Sequence, residues 1–161
     1  MRGEGGTVND GVRIYTDGSC LSNPGPGGWA WLEVEGDRRG SGAEPSTTNQ
    51  RMELTAVIKG LTEIPGDVDV YSDSLYVVNC FVQRWWVKWR ATGFRNSQGK
   101  PVANRDLWEL LFKEVLDSDR AVKFVWVKGH ASDRHNVEVD AMANGAATEM
   151  AARLRSGQRE R

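Results

Sequence analysis

Apolar and polar residues alternate along "GVRIYTDGSC": Val12, Ile14 and Thr16 fall on one face and Arg13, Tyr15 and Asp17 on the other, the period of a β-strand. The Gly- and Pro-rich run that follows, "LSNPGPGG", reads as a hairpin-type loop. "GGWAWLEVEG" and "DRRGSGAE" supply a second strand and a weaker third, an antiparallel meander. The period then lengthens. In "TTNQRMELTAVIKGL", Leu54, Val57, Ile58 and Leu61 share one helical stripe, with Thr47 three residues before Gln50 as a capping box. "DVDVYSD" is a short strand ending at Asp73, and "SLYVVNCFVQRWW" is helical. Residues 87–103 form a polar, basic excursion outside the sheet. "NRDLWELLFKEVLD" is another amphipathic helix, "AVKFVWVKG" a fifth strand, and a last helix begins near Asn136. A strand after a helix after a strand implies a parallel crossover, so the pattern predicts an α/β fold with a mixed five-stranded sheet flanked by helices.

Length and composition narrow the class. A chain of 161 residues buries a core of its own without disulfides or a structural metal. The expected layout is a flexible lead-in over 1–10, one domain over 11–155 and a fraying tail over 156–161. No apolar stretch can cross a bilayer, and the first ten residues lack the apolar core of a signal peptide. No membrane association, a cytoplasmic location and a monomer are the default expectations. Cys20 and Cys80 form no C-x-x-C pattern, and His130 and His135 are too few and wrongly spaced for a zinc-protease helix. A thiol or zinc mechanism is therefore not expected.

Four acids stand at element ends. Asp17 is a poor strand residue opposite the Val12, Ile14 and Thr16 face; a turn-initiating aspartate before Gly18 is the simpler account. Asp73 ends a strand, where a helix N-cap would also explain it. Glu53, near the start of its helix, lies at the rim of the apolar stripe beside Val57 and Gly60. Asp140 follows Asn136 by one turn and shares a side with Ala143 and Ala147. On adjacent central strands, Asp17 and Asp73 would meet beyond the strand ends, where α/β sheets gather functional groups. Crowded carboxylates repel, and a divalent cation resolves the repulsion. Oxygen-only ligands fit Mg²⁺ first, with Mn²⁺ as a substitute. Three or four carboxylates can hold two such ions for in-line phosphodiester displacement.

Charge is segregated. Between Asp73 and Asp106 there is no acid, while Arg84, Lys88, Arg90, Arg95, Lys100 and Arg105 contribute six cations, leaving −7 on the rest of a chain whose total is −1. Trp85, Trp86, Trp89 and Phe94 are interleaved with them, the mixture of cations and flat π-faces that a nucleic-acid strand calls for. Trp85 and Trp86 also continue the stripe of Leu75, Val78 and Phe81, so core packing and a solvated basic face stay open as accounts.

"YTDGSCLSNPGPGGW", "TTNQRMEL", "SDSLYV", "KPVANRDLW" and "WVKGHA", with Asp140 ten residues beyond His130, occur in that order. Together they resemble ribonuclease H of type 1, the bacterial form, from about Val12 to Arg153. The resemblance implies a strand order of 3-2-1-4-5 with a basic protrusion. It implies cleavage of the RNA strand of RNA/DNA hybrids with two metal ions, leaving 5′-phosphate and 3′-hydroxyl ends. The family's acidic quartet falls on Asp17, Glu53, Asp73 and Asp140, and its loop histidine on His130, where proton shuttling or help with product release is reasonable. Asn23, Asn49 and Gln50 resemble its minor-groove contacts, where amides read bases and 2′-hydroxyls. Thr48 and Asn104 resemble members of its DNA-phosphate pocket. Trp85, Lys88, Trp89 and Arg90 lie in the segment resembling its protrusion, which holds the DNA strand. His135 matches nothing in the family and is expected to face solvent. Leu75 stands where many members have glutamine, Ser46 replaces a basic residue, and Ala91, Thr92 and Ala103 make the protrusion less basic, implying weaker hybrid affinity and a shallower salt slope. Two rivals remain at this level: a hybrid-binding module without hydrolysis, and the nuclease domain of a reverse transcriptase or another relative of the same sheet such as an integrase-type strand transferase. The protrusion, His130 and short tails favour a freestanding enzyme.

Overall fold

The computed structural model describes residues 11–129 and 133–159. Three antiparallel strands open the chain: β1 (Val12–Cys20), β2 (Gly25–Glu33) and β3 (Arg39–Thr47). Helix α1 (Asn49–Glu63) then crosses to β4 (Val68–Ser72). Helices α2 (Leu75–Val82), α3 (Trp85–Ala91) and α4 (Arg105–Val115) lead to β5 (Val122–Trp126), and α5 (Arg134–Arg159) closes the fold. The sheet order is β3-β2-β1-β4-β5, the 3-2-1-4-5 arrangement, with β4 parallel to both β1 and β5.

The alternation of β1 divides the core. Ile14 points into the larger cluster with Leu54, Val57, Val70, Trp108 and Phe112, on the side of α1, α2 and α4. Tyr15 points the other way, into a smaller cluster with Ala30, Leu32, Val139 and Ala143, under α5. Asp17 follows Tyr15 by two residues and so emerges on the α5 side. Two glycines let helices sit directly on strands. A methyl at Gly18 would collide with the Glu53 nitrogen and lie 2.7 Å from the Met52 carbonyl oxygen. One at Gly28 would collide with the Ala143 carbonyl oxygen and lie 2.7 Å from the Ala147 nitrogen.

Four boundaries differ from the sequence reading. Thr47 is spent in β3, paired with Gly25, so the cap of α1 is Thr48, whose hydroxyl accepts from the Arg51 N–H at 3.2 Å. Asp73 is no cap either: Ser74 takes that place at α2, accepting from the Val77 N–H at 3.3 Å. The predicted helix through Trp86 breaks at Arg84, whose φ of 59° is left-handed, so α2 and α3 are separate and part of the excursion is helical. The remainder turns back through one antiparallel bridge, Arg95 to Pro101. Finally, α5 continues through residues 156–159, where fraying is expected. That stretch has no proline, and one glycine costs a helix only about 1 kcal/mol.

Candidate active site

The parallel register of β1 and β4 runs from Val12 beside Val68 to Tyr15 beside Tyr71. Continued two residues further, this register brings Asp17, within β1, level with Asp73, the residue that follows β4, the two strands being about 4.8 Å apart. Asp17 is buried. Burial is the first cause that pushes its carboxyl well above the ordinary range, followed by the Asp73 charge and the hydrogen bond and charge of Asp140. The Gly18 N–H, donating to Asp17 Oδ1 at 2.9 Å, works against the shift. Asp140 reaches this carboxyl from the exposed rim of α5.

Glu53 and Asp73 are held by polar neighbours. Ser74 donates its hydroxyl to Glu53 Oε1 at 2.8 Å, so the residue that caps α2 also aims the acid of α1. Asn136, buried on the first turn of α5, points its Nδ2 at Asp73 Oδ2, 3.5 Å away. Burial raises both carboxyls; the Ser74 and Asn136 bonds only partly offset it, and Asp73 and Asp140 add repulsion. All four predicted acids thus gather at one end of the central strands.

Among the described residues, no group of three or more His, Cys, Asp or Glu side chains could hold a metal ion by itself. The donors nevertheless suit a hard cation. They are oxygens only, they bear excess negative charge, and Mg²⁺ completes its octahedron with waters and substrate oxygens rather than with a protein cage. Asp17, Glu53, Asp73 and Asp140 would be the protein's share.

The predicted substrate residues fall into three groups. Asn23 accepts the Asn49 backbone N–H at 3.0 Å, tying the loop after β1 to the start of α1, with Gln50 exposed beside them. Thr48 and Asn104 meet through Arg51: its backbone N–H donates to the Thr48 hydroxyl, and its Nη1 donates to Asn104 Oδ1 at 3.3 Å. Arg51 also forks onto both Asp106 oxygens, at 3.0 and 2.7 Å, which holds the Asp106 carboxyl below its usual range. Asn104 donates in turn to the Tyr76 hydroxyl at 3.1 Å. Trp85, Lys88 and Trp89 line a groove of about 400 Å³ with Arg84, Arg95, Asn96 and Ser97. Arg90 leaves this group. It pairs with Asp117 at 2.9 Å and lies over Phe112, lining a different hollow on the α4 side.

His130 lies outside the described residues. His135 does not face solvent as expected: it is half-buried, its ring 5.3 Å from that of Tyr15, because it sits on the first turn of α5 above β1. Sequence reasoning missed Ser74, Arg51 and Asn136. The first two had a signal, a serine directly before a helical stripe and an arginine two residues from a candidate acid; Asn136 had none.

Comparison with known proteins bears on the family and the fold. The RNase H family model matches residues 9–148. A Ribonuclease H of Moorella thermoacetica is 47% identical over 84% of this chain and 90% of its own length. One of Thermus thermophilus is 45% identical over 87% and 86% respectively. Among solved structures, the crystal structure of LC9-RNase H1, a type 1 RNase H with the type 2 active-site motif, superposes with a TM-score of 0.74 at 30% identity, covering 90% of this chain and 76% of that one. Fold and matches first define the class, a nuclease of α/β architecture. The chain belongs to the RNase H family, whose members in general depend on divalent metal ions.

Proposed function

We propose that this protein hydrolyses the RNA strand of RNA/DNA hybrids with two divalent ions, Mg²⁺ or in its place Mn²⁺, leaving 5′-phosphate and 3′-hydroxyl ends. One observation carries the reading: Asp17 is buried with Asp73 and Asp140 pressed against it, and none of the bonds described at these acids comes from a cationic side chain. Family membership argues for the same chemistry. When bound, the ions would supply an activated water and charge neutralisation at the leaving oxygen. The chain's own residues do the positioning. Asp17, on the central strand three residues before its end, provides the innermost ligand oxygens. Ser74 keeps Glu53 pointed at the site, Asn136 does so for Asp73, and Asp140 approaches from the solvent side. His130, by the resemblance, moves a proton or speeds product release, and His130→Ala is expected to slow turnover modestly.

The Asn23, Asn49 and Gln50 group offers amides to the minor groove of a hybrid, where 2′-hydroxyls mark the RNA strand. Thr48 and Asn104, joined by Arg51, offer donors to a DNA phosphate. The groove of Trp85, Lys88 and Trp89 offers a cation and two aromatic side chains for the same strand further along. Labelled RNA in a hybrid, duplex RNA and duplex DNA, each with Mg²⁺ and with chelator, test the proposal. Cleavage of the hybrid alone, and only with the ion, is expected; cleavage of duplex RNA, or of the hybrid in chelator, would overturn it.

A further inference from the structure

Alternate residues on one face of β1 each meet α5 or its cap. Tyr15 donates its hydroxyl to Asp133 Oδ2 at 2.9 Å, Asp17 faces the like charge of Asp140, and Ser19 donates its hydroxyl to Asn144 Oδ1 at 2.5 Å. Positions 15 to 19 span about 13 Å of strand, and 133 to 144 about 16 Å of helix. The central pair consists of two acids, whose repulsion acts to lift α5 from the sheet. The outer pairs are attractive and flank it on both sides.

The Asp133 end is the more constraining. Asp133 Oδ1 accepts the backbone N–H groups of His135 and Asn136, both at 3.1 Å, and so caps α5 while Oδ2 takes the tyrosine hydroxyl. Tyr15 is itself fixed: it is buried, and its ring stacks on Tyr71 of β4 with centroids 5.0 Å apart. The turn of α5 held in this way carries Asn136, which faces Asp73, and leads one turn later to Asp140. We infer that the Tyr15–Asp133 bond, backed by Ser19–Asn144, is a clamp that sets the distance of Asn136 and Asp140 from the strand-borne acids, making Tyr15 and Asp133 positioning residues for the reaction. The inference rests on the acid cluster being the ion-binding centre proposed above.

Tyr15→Phe deletes only the hydroxyl and keeps the ring. Steady-state cleavage of a hybrid, Mn²⁺ binding by calorimetry without nucleic acid, and melting temperature are measured together. Tyr15→Phe and Asp133→Ala are each expected to lower kcat about tenfold, with KM for the hybrid unchanged and Mn²⁺ affinity reduced several-fold. The double variant falls no further than Asp133→Ala, because Asp133→Ala already removes the bond that Tyr15→Phe deletes, together with the two capping bonds. Asp133→Asn restores near-normal values: its oxygen still caps the helix, and its amide can donate to the tyrosine oxygen. Unchanged kcat and Mn²⁺ affinity, even with a lower melting temperature, would overturn the clamp, as would a rise in KM alone. A wild-type protein that binds Mn²⁺ but leaves hybrids intact would sink the proposed function, while the Mn²⁺ comparison would still judge the clamp. Failure of the wild type to bind Mn²⁺ would overturn it as well.

Discussion

The acid cluster and the basic protrusion are opposite solutions to placing charge. At the cluster, like charges are brought together by the most rigid parts of the molecule, two parallel strands and two helices that touch them, and part of the charge is withdrawn from water. In the protrusion, cations stand on short α3 and the turn after it, exposed and spread around an aromatic floor. Arg90 and Arg105 are neutralised by Asp117 and Glu109, whereas among the described residues no carboxylate pairs with Arg84, Lys88, Arg95 or Lys100. Charge that does chemistry has to be held against its own repulsion, while charge that attracts a strand needs only to be presented to it.

The sharpest break in that comparison is Asp17→Asn. It is expected to abolish turnover in a cleavage assay while hybrid binding, measured by gel shift, stays largely intact; retention of more than about a tenth of wild-type turnover would remove Asp17 from the ligands. Next comes stability without metal. Asp17, Glu53 and Asp73 hold protons more tightly folded than unfolded. Their contribution is therefore complete below the unfolded carboxylate values and is lost as pH rises through the folded ones. The melting temperature in chelator should climb as pH falls from about 8 to about 5, the ordinary carboxylate edge. Below that, protonation of Glu33, Asp106, Asp133 and Glu138, all shifted down, reverses the gain. Asp17→Asn should flatten the climb, and a steady fall over the same range would contradict the buried repulsion.

Smaller effects separate Lys88 from Arg90. Lys88→Ala should raise KM for the hybrid several-fold at moderate salt and leave stability alone, because its ammonium is exposed in the groove. Arg90→Ala should do the reverse, with KM nearly unchanged and a loss of at most about 1 kcal/mol in denaturant unfolding, the scale of an exposed ion pair. Equal KM effects from both would erase the distinction between the two sides of α3.

This difference marks the limit of what the sequence conveys. Strand alternation and helix stripes are set by local periodicity, so the five strands, their order of appearance and the place of Asp73 just past β4 are legible. Asp17, by contrast, does not end its strand: β1 runs on, paired with β2, to Cys20. The acids come together because parallel pairing carries these two residues to the same level. Which side of α3 each cation takes depends on the left-handed turn at Arg84, which rotates α3 relative to α2 and leaves no mark in the stripe of Val78 and Phe81. The caps shifted by one residue for a similar reason. Thr47 and Thr48 are equivalent as hydroxyls, and only the pairing of Thr47 with Gly25 decides between them. Asn136 was invisible because its partner, Asp73, is 63 positions away in the chain.

Gly28 carries a last consequence. It lies on β2, holds no charge and touches no acid, yet the backbone of α5 rests on it at Ala143, three residues past Asp140. Even alanine there would wedge the helix outward and drag that acid off its mark. Screens for inactive variants should thus recover this position alongside the polar ones, as a lesion of fit rather than of chemistry.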